Sequence, residues 1–178
     1  MSRRETVLLA DAVRYALGIA ALVDQRQLTA STPCPGWNLD RLLRHLAGSI
    51  AVLDEAITGT PAPPAAAGDP VELLRDRAAG LLWTAFTAED RTGYAVPVIA
   101  VGAIEITVHA WDIAVACASP RRIPSRLARP LLGLSAELIP QRDGLFGPPR
   151  PTPHCANPGD LLLAWLGRDP GTSYRRVA

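Results

Sequence analysis

Lysine is absent from this chain: all 18 of its basic residues are arginine. Beside abundant alanine, proline and leucine, that absence is the mark of GC-rich coding and is read as source bias before function. Charge of either sign is also scarce in surplus. The net charge is +1, which argues against a nucleic-acid partner, because neutralising phosphates takes a clustered basic surface. Cysteine is limited to Cys34, Cys117 and Cys155. An odd, widely spaced set without a C-x-x-C pair excludes a disulfide framework and a cysteine zinc knuckle. No uninterrupted apolar run reaches about 18 residues, so no membrane span is expected. An apolar leader is missing too. Met1 to Glu5 run into an amphipathic pattern that contains Asp11, Arg14 and Asp24, where a signal peptide needs an uncharged core. The expected location is cytoplasmic.

What is present suits one domain over 1–178. The chain is 48% hydrophobic and 20% charged, ordinary values for a globular protein, and a chain of this length can bury a core without disulfides or metal. Apolar positions recur at helical spacing over 5–24. Residues 29–37 form a turn-rich connector, after which Asn38 can cap a helix over 39–58 that Gly59 ends. Residues 60–68 read as a loop. Asp69-Pro70-Val71-Glu72 is a strong helix start, and that helix runs to about Thr87. A polar connector follows over 88–96. Further helices are predicted over 97–118, 125–140 and 158–167, with Phe146-Gly147-Pro148-Pro149 in the loop before the last. The fold class is all-α, a four-helix bundle with an additional short C-terminal helix.

Histidine is scarce as well, with His45, His109 and His154 the full set. Glu105 and His109 stand four residues apart, so both point the same way from one helix. His45 lies in the helix over 39–58. Two imidazole nitrogens and one carboxylate, with a fourth position open, are the ligand set of a catalytic zinc site. Glu105, His109, Asp112 and Ala116 form one stripe, opposite Ile99, Ile106, Ile113 and Val115. Such a stripe is also what a solvated face looks like. However, 97–118 is otherwise nearly devoid of charge, which points to burial, and a buried carboxylate beside a histidine is costly unless paired or bound to metal. Taken alone, His45 also fits a hydrogen-bonded core histidine. Asp112 is read as the partner that orients His109, with a further ligand or a surface charge as the alternatives. Trp111 is read as a wall of the cavity. Cys34 is expected to be a packed, inert thiol and not to ligate metal together with His45, because His45 lies about 10 Å up its helix from Asn38 and Cys34 lies further back. Cys117 reads as structural and His154 as exposed.

Thr32-Pro33-Cys34-Pro35-Gly36-Trp37 followed by Leu42-Leu43-Arg44-His45-Leu46 resembles the first signature of the DinB-like metal-binding bundles. More narrowly, it resembles the actinobacterial branch related to mycothiol-dependent maleylpyruvate isomerase. Glu105-x-x-x-His109-x-Trp111-Asp112-Ile113-Ala114 resembles the second signature. The ending Leu161-Leu162-Leu163-Ala164-Trp165-Leu166-Gly167-Arg168-Asp169-Pro170 is similar to the close of that branch, as is Phe146-Gly147-Pro148-Pro149. The resemblance implies a four-helix core with one divalent metal, usually zinc, on the positions of His45, Glu105 and His109. It also implies a low-molecular-weight thiol such as mycothiol at the open position.

A divalent cation lowers a thiol's pKa toward neutrality, and the thiolate is the nucleophile. Addition to an activated alkene, rotation and elimination isomerise a cis double bond; addition alone is S-transfer. A zinc-activated water is a hydrolytic alternative. The expected function is therefore a zinc-dependent, thiol-using transferase or isomerase acting on a small organic molecule, with nickel as another metal the site can take up. Two alternatives stand beside it: a cyclase or isomerase of specialised metabolism that has given up or kept the metal, and a non-enzymatic small-molecule-binding or regulatory module.

Overall fold

The structure, a computed structural model, describes residues 3–64, 68–87, 96–119, 121–139, 146–152 and 156–171. Among the described residues six α-helices follow one another: α1 (Arg3–Ala20), α2 (Leu39–Thr58), α3 (Pro70–Thr87), α4 (Val96–Ala116), α5 (Ser125–Leu138) and α6 (Pro158–Trp165). No strand forms among the described residues, so the all-α reading holds. The connectors over 60–68 and 88–96 fall partly outside the described residues, as do His154 and Cys155.

Local chemistry sets the helix ends. Asn38 takes an extended conformation and accepts a hydrogen bond from the Arg41 N–H at 3.0 Å, which satisfies one of the unpaired donors at the start of α2. Gly59 ends α2 in the left-handed conformation. Asp69 accepts from the Val71 N–H at 2.9 Å and Pro70 opens α3. α1 stops earlier than its apolar period predicts. Asp24 and Gln27 exchange side-chain bonds with each other's backbone and start a separate 3-10 turn over Gln25–Gln27. Leu22, which falls on the helical spacing read over 5–24, is left exposed.

One apolar cluster draws on all six helices. α4 packs against α1, α2 and α5, while α2 also packs on α3 and α5 on α6. By length and composition alone Pro97–Ala116 could cross a membrane, although Glu105, His109 and Asp112 interrupt its apolar run; 72% of it is buried inside the bundle, as befits a core helix. Gly102 lets α2 come close to α4. A Cβ there would fall 2.5 Å from Leu53 Cδ2. About one and two turns beyond Gly102, α4 carries Glu105 and His109, which meet residues of α2.

Candidate metal centre

His45 faces α4 from the middle of α2. Its Nε2 lies 3.3 Å from Glu105 Oε1, and its ring meets that of His109 edge to face at 5.0 Å between centroids. One ligand atom from each of His45, Glu105 and His109 can be chosen so that all lie within 4.8 Å of one another. Two ligands each about 2.1 Å from a tetrahedral ion stand about 3.4 Å apart, so the His45–Glu105 pair already has the separation a small divalent ion needs. Ser49, one turn after His45, donates to Glu105 Oε1 at 2.5 Å and holds that carboxylate toward the histidines. Trp37 closes the other side of His45, with ring centroids 4.7 Å apart. Burial and the neighbouring His109 hold His45 below the ordinary imidazole range, against the pull of Glu105. A neutral imidazole is the form that offers a lone pair.

Behind His109 sits Asp112, fully buried. Its Oδ2 is 3.1 Å from His109 Nδ1 and 2.9 Å from Arg168 Nη2, while Arg168 Nε reaches Oδ1 at 3.4 Å. Burial opposes ionisation of Asp112, but the hydrogen bond with His109 and the charge of Arg168 outweigh it and keep the carboxyl below its ordinary range. Full burial removes the surface-charge reading of this residue. His45, Glu105, His109 and Arg168 border a cavity of about 870 Å³, to whose wall Trp37, Trp111, Ile139 and Phe146 contribute apolar surface.

Cys34 also reaches this neighbourhood. Its Sγ lies 3.4 Å from Asp112 Oδ2 and 3.9 Å from His109 Nδ1, and Cys34, His109 and Asp112 form a second group able to hold an ion. Cys34 thus comes closer to α4 than its distance along the chain suggests, although it is not among the three residues gathered around His45. Distance along the chain misled because the connector doubles back. Ser31 pairs with Asn38, Thr32 bonds the Trp37 carbonyl, and Gly36 turns the chain at φ 74°, which swings Cys34 over α4. Its protonation agrees with an inert thiol, since burial and the Asp112 charge push it up to about 12. Cys117 packs against the core, as expected.

Three residues of this neighbourhood escaped the sequence reading. Ser49 had a signal, its four-residue spacing from His45. Trp37 and Arg168 were noted only inside motifs, and nothing in local spacing brings a residue of the C-terminal segment to α4.

These features define an all-α bundle with a two-histidine, one-carboxylate cluster opening on an apolar cavity. Residues 9–92, which take in the first signature over Thr32–Leu46, match the family model described as the mycothiol maleylpyruvate isomerase N-terminal domain, in keeping with the family that the sequence resembles. Two uncharacterized proteins of Mycobacterium tuberculosis, from strains CDC 1551 / Oshkosh and ATCC 25618 / H37Rv, are each 27% identical to this chain over 164 residues, 84% of it and 90% of theirs. No solved structure matches at a significant level.

Proposed function

We propose that this chain is a metal-dependent enzyme that uses a low-molecular-weight thiol, such as mycothiol, for S-transfer or cis-trans isomerisation of a small organic substrate. His45, Glu105 and His109 hold the divalent ion, zinc in the first instance and nickel as a substitute. The observation that carries this reading is the donor set: two imidazoles and a carboxylate from two helices, gathered at a cavity large enough for a small molecule. When bound, such an ion is a Lewis acid that lowers the pKa of a coordinated thiol.

The residues of the chain have separable roles. Ser49 orients Glu105 through its 2.5 Å bond. Asp112 accepts from His109 Nδ1, which leaves Nε2 as the ring's lone-pair nitrogen. Trp37, Trp111 and Phe146 exclude water from the cavity wall and raise the strength of charge interactions inside it. Cys34, held as a protonated thiol, does not compete with an incoming thiolate.

Cobalt substitution tests the reading. Addition of mycothiol to the cobalt-loaded protein is expected to produce a sulfur-to-metal charge-transfer band. A spectrum that stays unchanged with every thiol tried, with turnover persisting in their absence, would favour water-based or metal-free chemistry.

A further inference from the structure

Asp112 is the meeting point of three segments far apart in the chain. Cys34 reaches it from the connector before α2, His109 from its own helix, and Arg168 from the segment after α6. Arg168 is the unusual member. Its side chain is only 14% exposed and Asp112 is wholly buried, so the pair has given up most of its hydration. Breaking it leaves an unpaired buried charge.

The backbone before Arg168 is fitted to deliver it there. Gly167 has φ 79°, and a Cβ on it would fall 2.7 Å from Gly147 Cα. The two glycine backbones therefore lie in contact. Arg150 fastens the same place from the other strand of the chain, its Nε donating to the Gly167 carbonyl at 2.8 Å. The Arg168 N–H donates to the Leu163 carbonyl at 2.9 Å and its Nη1 to that of Leu166 at 3.1 Å. The guanidinium thus enters the bundle from a fixed backbone, with Nε and Nη2 turned to the two oxygens of Asp112.

We propose that Arg168 is a positioning residue for the metal centre: through Asp112 it fixes His109 in the form that carries hydrogen on Nδ1, so that Nε2 keeps the lone pair on the side of His45 and Glu105. A carboxylate anchored by two arginine N–H groups presents only acceptor lone pairs to its third neighbour. His109 Nδ1 must then be the donor. Without Arg168 the carboxylate can rotate away from Nδ1, and the ring is free to exchange its two neutral forms. The proposal rests on the metal reading of His45, Glu105 and His109, but its signature exists in the metal-free protein.

The test is imidazole nitrogen NMR on metal-free, nitrogen-15-labelled protein at mildly alkaline pH, with His109 assigned by its loss in His109→Ala. The native protein is expected to show hydrogen on Nδ1 alone, and Arg168→Met a mixture of both forms. Affinity for cobalt should fall by roughly ten- to a hundredfold in the same variant. Hydrogen on Nε2 in the native protein, or an unchanged His109 spectrum in folded Arg168→Met, overturns the assignment. If Arg168→Met does not fold, Arg168→Lys replaces it, since one ammonium group cannot reproduce the two-point hold on Asp112. A shift toward mixed forms then supports the proposal, and a native spectrum overturns it. Failure of native protein to bind metal would instead sink the proposed function while the tautomer result stood.

Discussion

Asp112 separates two kinds of histidine partner. Fully buried and bonded to His109 Nδ1 and to Arg168, it is placed to orient a ligand from behind. Asp112→Asn keeps the shape and weakens the acceptor, so cobalt affinity is expected to drop about ten- to a hundredfold, as for other groups that orient a ligand. Titration followed by the visible absorption of bound cobalt measures it. A folded Asp112→Asn protein that binds no metal at all would make this residue a ligand in its own right. The sequence carried much of this neighbourhood. The four-residue step from Glu105 to His109 and the three-residue step to Asp112 are helical distances, and helix geometry places them on one side without further information. Cys34 and Arg168 were illegible as neighbours of that side, because what brings them there is a doubled-back connector and a contact between two glycine backbones.

Among the helices, α2 was the most legible, since Asn38 and Gly59 each carry the chemistry of a helix end. The end of α1 was misread because Leu22 continues the apolar period beyond Ala20, where the helix stops ahead of the separate turn that Asp24 caps. Burial of α4 followed from its lack of charge, and its burial has a consequence at its C-terminal end. Cys117, just beyond Ala116, is pushed by burial from the ordinary thiol range up to about 11. A thiol whose pKa is raised by folding favours the native state below the unfolded value, near pH 8.5 for a free cysteine. That contribution is lost as pH rises through the folded value of about 11. Denaturant unfolding across this alkaline window should therefore show a steeper loss of stability in the native protein than in Cys117→Ala. Parallel pH profiles for the two proteins would refute the burial argument.

At the scale of the whole molecule, the close approach of α2 and α4 is the link between fold and chemistry. Gly102 permits it, and His45 with Ser49 then meets Glu105 and His109 across the seam. The family match over residues 9–92 takes in α2 with His45, while Glu105 and His109 lie beyond it, so the metal assignment on α4 depends on the geometry. Elemental analysis of protein purified without a metal-affinity tag, native beside His45→Ala, Glu105→Gln and His109→Ala, puts that assignment to the test. The account predicts about one divalent ion per native chain, as the ligand set of one site implies, and loss of most of it in each variant whose helical circular dichroism is intact. A native protein free of divalent metal, or variants that retain the native content, would contradict it.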